Sequence, residues 1–225
     1  MLVLSLIFSC KKQQSIHANP ASGSGFTFVS AVLGDTSRYN IFVGGVKVNG
    51  ALLDTKKLAV FPSSEYVSTP AGNQQLSFIS AAGAAISTSV QLPMNTYSTV
   101  FLNGPPGKPV ITVFQDSLLF LTDSSAAVRF INLSPDQTPV NFTLTSSNNT
   151  PVAFSNIRYQ QSSGFRKIKL TPEGFSFQVF IPGITQPIVN RTVLSKFGVG
   201  KNYTIYLVGQ AASKTLDIPL SIVNR

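Results

Sequence analysis

Few residues in this sequence carry side chains suited to nucleophilic or acid–base chemistry. The one histidine is His17 and the one cysteine is Cys10, and both precede the first predicted strand. A histidine-based triad, a cysteine nucleophile or a His/Cys metal site needs several such groups held together by a core. We therefore predict no catalytic, metal-binding or cofactor-binding residues of these kinds.

Acidic residues are the remaining candidates for catalysis, and the sequence has 8 of them: Asp35, Asp54, Glu65, Asp116, Asp123, Asp136, Glu173 and Asp217. A glycosidase needs two carboxyl groups that face each other. Turn acids such as Asp35 and Asp136 usually bond backbone N–H groups instead. No stretch resembles a calcium loop or a phosphate-binding loop. We predict a protein that is not an enzyme and has no cofactor; the alternative is a glycan-active hydrolase using a carboxylate pair.

The setting of Cys10 indicates a lipid anchor. Residues 2–8 are apolar apart from Ser5. Their length is the lower limit of a signal-peptide core of ~7–15 residues and far short of the ~20 of a membrane-spanning helix. The segment Ile7-Phe8-Ser9-Cys10 resembles the lipobox of bacterial lipoproteins, which implies cleavage before Cys10 and a diacylglycerol on its thiol. Phe8 is bulkier than usual there, and no basic residue precedes the run; an earlier start codon would supply the basic residues. We expect 1–9 to be a signal peptide, truncated here, and Cys10 the lipid attachment.

Residues 11–25, KKQQSIHANPASGSG, are polar and end in alternating serine and glycine. This composition is typical of flexible linkers, so 10–25 is predicted to be the lipidated cysteine and its tether. With one cysteine there is no disulfide, and the folded cores must supply the stability.

The charge distribution argues against a nucleic-acid partner. Lysine and arginine exceed the acids by 17 − 8 = 9, but these basic residues are scattered. The dense group Arg166, Lys167 and Lys169 is predicted to be a solvated strand face. Charged residues make up only 11% of the chain, less than half the usual ~25%.

From Phe26 onward, short runs of Val, Ile, Phe, Tyr and Thr alternate with Gly, Pro, Asn and Ser, which predicts strands. In GFSFQVFIPG (174–183), Phe175, Phe177, Val179 and Ile181 form one apolar row. NYTIYLVG (202–209) is apolar on both faces and predicts a central strand. No helix longer than two turns is predicted.

The sequence also repeats at a spacing near 100 residues. Phe28 and Phe130 lie 102 apart, Pro70 and Pro172 also 102, and Tyr97 and Tyr203 lie 106 apart. Such a period indicates a duplicated domain, and strands every ~8–12 residues suit an antiparallel sandwich. We predict an all-β chain of two tandem antiparallel β-sandwich domains, 26–122 and 127–225, with Asp123-Ser124-Ser125 as the linker.

These landmarks resemble the domain of unknown function 4397 (DUF4397) family. The matching segments are VRFINLSPD (128–136), the Val140-Asn141 step, a Pro-x-Gly turn and the ending GKNYT (200–204) before an apolar strand. The resemblance is closer in the second unit than in the first. It implies an immunoglobulin-like sandwich in a secreted or surface-anchored bacterial protein, and no established activity.

We therefore expect a lipoprotein of a Gram-negative cell envelope, anchored to the outer membrane on its periplasmic face or at the cell surface. Its predicted role is binding, adhesion or scaffolding, with a glycan or an envelope protein as partner. A third reading is a structural subunit that pairs through strand edges. Tyr39, Tyr66 and Tyr159 are the candidate ligand contacts, because aromatic rings near strand ends can stack on sugars. The triplet Asp116-Ser117-Leu118 resembles a bacterial O-glycosylation site.

Overall fold

The chain is all-β in the part that the structure describes. The computed structural model describes residues 23–62, 66–137, 139–146, 149–193, 197–212 and 214–223. Within these ranges the one helical element is a 3-10 turn at Thr55–Lys57, whose first turn is capped by the Asp54 carboxylate. The prediction that no helix exceeds two turns is confirmed for these ranges. None of the helical residues described forms a segment able to cross a bilayer.

Residues 23–115, which we call the N-terminal half, form two sheets. Their strands are β1 (Gly23–Ala31), β2 (Arg38–Val43), β3 (Val46–Lys47), β4 (Leu53–Asp54), β5 (Val60–Phe61), β6 (Val67–Pro70), β7 (Gly72–Ser80), β8 (Ala85–Leu92), β9 (Tyr97–Asn103) and β10 (Val110–Gln115). Sheet A has the order β10-β9-β1-β5, and β6 also pairs with β1. Sheet B has the order β3-β2-β7-β8, and β4 also pairs with β2.

Residues 125–223, the C-terminal half, form two further sheets. Their strands are β11 (Ser125–Asn132), β12 (Val140–Ser146), β13 (Asn149–Ile157), β14 (Gln161–Ser162), β15 (Arg166–Lys169), β16 (Phe175–Phe180), β17 (Val189–Val193), β18 (Asn202–Leu207) and β19 (Leu220–Val223). Sheet C has the order β14-β11-β18-β19, and β15 also pairs with β11. Sheet D has the order β13-β12-β16-β17.

The two halves arrange their strands in matching order. In each half the first strand pairs in parallel with the strand before the last, β1 with β9 and β11 with β18. The last strand then adds antiparallel to that partner. The Pro-x-Gly turns found in the sequence precede β7 and β16, and both glycines, Gly72 and Gly174, have positive φ.

Three apolar clusters hold the sheets together. One joins sheets A and B, and a second joins sheets C and D. The third joins the outer faces of sheets A and C, through Val29, Ala31, Phe101, Ile131, Leu133, Tyr206 and Val208. Sheets A and C are therefore covered on both faces, and every residue of β1, β11 and β18 is buried. The prediction that residues 202–209 form a central strand is confirmed.

The period-two pattern of β16 matches its burial. Phe175, Phe177 and Val179 are buried and the residues between them are half-buried, as predicted. Ile181 was predicted to continue this row, but this is wrong: it lies beyond the strand end and is exposed. The basic residues of β15 are exposed while Ile168 points inward, as the predicted solvated face requires.

The predicted tether is wrong at its last three residues. Gly23, Ser24 and Gly25 are buried members of β1, paired with Pro70, Thr69 and Ser68. A Cβ atom on Gly23 would lie 2.4 Å from the Thr69 carbonyl oxygen. The alternating glycines here serve close backbone packing, which composition alone does not distinguish from a flexible linker. The rest of the predicted signal peptide and tether lies outside the described residues.

Candidate functional site

A buried ion pair lies between sheets A and C, where the two halves meet. Arg129 on β11 is fully buried, and its Nη2 lies 2.5 Å from Oδ1 of Asp116, which directly follows β10. The guanidinium also donates from Nε to the Thr204 hydroxyl (2.9 Å) and from Nη2 to the Thr99 hydroxyl (3.1 Å). Thr99 belongs to the N-terminal half, and Asp116 directly follows its last strand, so this one arginine bonds the two halves to each other. We call this group the central ion pair.

The second oxygen of Asp116 is satisfied within the N-terminal half. Oδ2 accepts hydrogen bonds from the Tyr66 hydroxyl (2.9 Å) and the Thr99 hydroxyl (2.8 Å). Burial, and then the adjacent carboxylate, raise the pKa of Tyr66 far above its usual range, so the hydroxyl remains a donor at any physiological pH. A carboxylate whose oxygens are occupied by an arginine and two hydroxyls is sealed from solvent and unsuited to proton transfer with a substrate.

Further polar contacts connect the two halves near the other end of the interface between sheets A and C. The Asn103 amide donates to the Tyr159 hydroxyl (3.3 Å), and the Gln160 amide donates to the Thr112 hydroxyl (2.9 Å). Between these contacts and the central ion pair, the rings of Phe101 and Tyr206 meet edge-on at 5.2 Å. The halves are thus joined by apolar packing with specific polar contacts on both sides of it.

Most of the other described acids are also held in structural contacts. Asp35 accepts from the backbone N–H and hydroxyl of Ser37, as predicted for a turn acid. Asp54 caps the 3-10 turn, and Asp217 pairs with Arg191. Asp123 pairs with Lys167 at 2.5 Å, and donation by Lys167 and then Ser125 lowers the pKa of its carboxyl.

An open recess of about 320 Å³ lies at one end of sheet D. Its lining residues are Thr145, Ser146, Glu173, Gly174, Phe175, Ser176 and Thr192. Glu173 is the only carboxylate in this lining, whereas glycoside hydrolysis uses two. The described chain also holds no cluster of three or more His, Cys, Asp or Glu side chains placed to bind a metal ion.

Asp136 provides a test of the loop contacts by pH. Partial burial works to raise the pKa of this carboxyl, but hydrogen bonds from the N–H groups of Ala212 and Ala211 outweigh it, so the pKa is lowered. A lowered folded-state pKa adds stability that is full above the unfolded value and is lost as pH falls through the folded value. Urea unfolding of wild type and Asp136→Asn should therefore differ at neutral pH and converge once the pH has fallen below the lowered folded-state pKa of Asp136.

The matched control for that test is Lys108→Ala, in another exposed loop, which should keep the wild-type dependence on pH. A gap between wild type and Asp136→Asn that stays constant down to acid pH would show that ionisation of Asp136 does not stabilise the fold.

The candidate ligand tyrosines lie in packed positions. Tyr39 is buried with its ring edge-on to Phe78, and Tyr66 is buried beside the central ion pair. Neither presents a ring face to solvent. Tyr159 is half-buried at the joint, where burial raises the pKa of its hydroxyl. Their predicted contact with a ligand remains a prediction; Cys10, His17 and Glu65 lie outside the described residues.

The starts of four strands gather at one end of the molecule. β1 and β9 run parallel, as do β11 and β18. Contacts between the halves follow the same order along both pairs: Thr99 bonds Arg129 within the strands, and Leu33 lies beside Gly209 past the strand ends. All four strands therefore point the same way. We call the end with their starts and the connecting segment 116–124 the linker end, and the opposite one the far end.

The fold and its contacts define an all-β protein whose sheets are joined by a buried ion pair. The chain belongs to the family described as Domain of unknown function (DUF4397), whose model matches residues 27–143. That match covers the N-terminal half, the connecting segment and β11 with most of β12, whereas the closer resemblance was expected in the second unit.

The chain is also similar to two solved structures from Bacteroides. One is a "putative cell adhesion protein" of Bacteroides uniformis ATCC 8492, with 8% identity, a TM-score of 0.33, and 92% of this chain and 99% of that chain covered. The other, described in the same words, is from Bacteroides fragilis NCTC 9343, with 13% identity, a TM-score of 0.25, and 86% and 85% covered. No curated protein matches the chain in sequence.

Proposed function

We propose that the protein is a lipid-anchored, non-enzymatic module of the bacterial cell envelope that presents a binding or scaffolding surface to a glycan or a partner protein. In this proposal each half is an immunoglobulin-like sandwich, the two are copies of one unit, and Cys10 carries the lipid. The anchor holds the molecule on the outer membrane, on the periplasmic face or at the cell surface.

The observation that supports this proposal best is the central ion pair. Arg129 connects the halves through Asp116, Thr99 and the carbonyl of Gln115, beside an apolar cluster shared by sheets A and C. Such a joint suits a rigid spacer that holds loops in fixed relative positions. The carboxylates that could serve chemistry are instead bonded within the fold, which favours binding over catalysis.

The far end is the surface that this arrangement would present. Loops 32–37, 104–109, 133–137 and 208–212 leave the four central strands there, and loops on a rigid scaffold are the usual carriers of binding residues. The N-terminal segment enters the described structure at Gly23, on the linker end. A tether attached there directs the far end away from the membrane.

The anchor is tested by fractionating cells that express the full chain or Cys10→Ser. Wild type should be recovered with outer membranes as a cysteine-acylated product, visible by mass spectrometry of its N-terminal peptide. The serine variant should be released to the soluble envelope fraction, with Ser9→Ala as the matched control that keeps the anchor. Wild-type protein without an acyl group would overturn the anchor.

The binding role is tested by a glycan array and by pull-down from outer-membrane extract. Lys108→Ala on the far end should reduce binding, whereas Lys201→Ala on the linker end should not. Hydrolysis of an arrayed glycan, abolished by Glu173→Gln, would overturn the non-enzymatic assignment.

A further inference from the structure

The linker end exposes large apolar side chains that the fold itself does not use. Phe120 is 86% exposed, Met94 60% and Val199 59%, and these are three of the four most exposed large hydrophobic residues described. Single exposed apolar residues are ordinary on protein surfaces, but several gathered at one place mark a contact site.

Backbone contacts place these three residues on the same end. The Leu119 N–H and carbonyl both bond the side chain of Asn202, the first residue of β18, which holds Phe120 beside the start of that strand. Val199 precedes Gly200, whose N–H donates to the Ser125 carbonyl at the start of β11.

Met94 is placed by the neighbouring turn. The Asn95 N–H donates to the carbonyl of Gly23, the first residue of β1, at 2.8 Å. Asp116, from which the segment carrying Phe120 departs, donates its N–H to the Tyr97 carbonyl at the start of β9. The three side chains therefore extend from a surface made of strand starts.

The charges at this end suit an anionic, partly apolar surface. Loops 70–72 and 93–97 of the N-terminal half contain no charged residue. Elsewhere at this end Lys201 is exposed, Lys169 lies opposite Ser125 at the start of β11, and Glu173 lies in the turn between β15 and β16. The Lys167–Asp123 pair is half-exposed with no net charge, so the lysines exceed the acids of this group by one. Asp116 is neutralised inside by Arg129.

The chain that precedes Gly23 indicates what covers this surface. It contains Cys10, the proposed lipid attachment, followed by two lysines, and it joins the folded part at the linker end. From these observations we infer that Met94, Phe120 and Val199 form a membrane-contacting surface that inserts into the headgroup region of an anionic bilayer. This inference rests on the proposed function for the orientation of the molecule, but the surface itself can be tested without an acyl chain.

The absence of tryptophan from the sequence allows a single-tryptophan test. Full-length Cys10→Ser protein carrying Phe120→Trp is mixed with vesicles of phosphatidylethanolamine and a minority of phosphatidylglycerol. Insertion should shift the emission to shorter wavelength, and brominated acyl chains should quench it. The matched control is Cys10→Ser with Ile184→Trp, an exposed apolar position at the far end, which should show neither change.

A second variant links the signal to the surface as a whole. Met94→Ser and Val199→Ser together, in the Phe120→Trp background, should weaken partitioning to vesicles by about tenfold or more, with far-UV circular dichroism unchanged.

Three results would overturn the inference. One is vesicle binding without quenching of the Phe120→Trp signal, which would point to residues 2–8 as the inserting segment. Another is a blue shift that depends on protein concentration and needs no vesicles, which would indicate a second copy of the chain on this surface. The third is no partitioning at all. Acylation of wild type at Cys10 is scored separately by mass, so failure of the anchor and failure of this surface are distinguishable.

Discussion

Asp116→Asn is expected to lower the free energy of unfolding by about 3–5 kcal/mol, because it leaves a buried arginine without its counter-ion. Arginine side chains do not lose their proton in proteins, so the variant cannot escape this cost by deprotonation. Since the pair joins the halves, we also expect the variant to unfold in two separated steps. Calorimetry and urea titration followed by far-UV circular dichroism measure both effects.

The matched control is Asp123→Asn, the same change at the exposed Asp123–Lys167 pair, which should leave unfolding close to wild type. The double variant Asp116→Asn/Arg129→Met removes both buried charges and should recover roughly half of the lost stability or more. A single variant as stable as wild type would show that the pair does not hold the halves together.

Phe142→Ala should be as damaging, by about 3–5 kcal/mol, because it opens a cavity in the cluster between sheets C and D. The Phe142 ring is fully buried and stacks on Phe130 with centroids 4.4 Å apart, and it also contacts Phe154 and Phe177 at 6.1 and 5.9 Å. Urea unfolding monitored by far-UV circular dichroism is the measurement.

Phe120→Ala provides the control for that loss, since its ring is exposed and should change stability by less than about 0.5 kcal/mol. If both phenylalanine variants lose stability equally, the buried aromatic cluster is not the source of the effect.

Much of the strand structure could be predicted from the sequence because one-sided burial leaves a period of two. The alternation at Phe175, Phe177 and Val179 is confirmed for this reason. The run at 202–209, apolar on both faces, is confirmed as a central strand because both of its faces are buried. The beginning of β1 could not be predicted in this way. Gly23, Ser24 and Gly25 have linker composition, and only the nearby Thr69 carbonyl and Tyr97 ring show that glycines are needed there for close approach.

The central ion pair was not predicted, although the sequence contains a signal for it. Arg129 is one of the scattered basic residues of the sequence, and Asp116 is one of the eight acids weighed for a carboxylate pair and part of the Asp116-Ser117-Leu118 triplet. Arg129 nevertheless stands within SAAVRFIN, a strand of otherwise small, apolar and uncharged residues, and a charge in such a run requires a buried partner. Which acid supplies it depends on how sheets A and C pack, and that packing leaves no periodic trace in the sequence.

The parallel pairing of β1 with β9 has a consequence for how the chain is made. β1 is the first strand to emerge from the ribosome or the export channel, and its parallel partner β9 follows some 70 residues later, with Gly25 opposite Tyr97. β11 and its partner β18 are separated by a similar length of chain. Contacts of such long sequence separation slow folding. Each half therefore stays incomplete until nearly all of it has been synthesised. During this time β1 and β11, whose residues are all buried in the folded protein, are available to unwanted partners, so production in the cell should depend on holding chaperones.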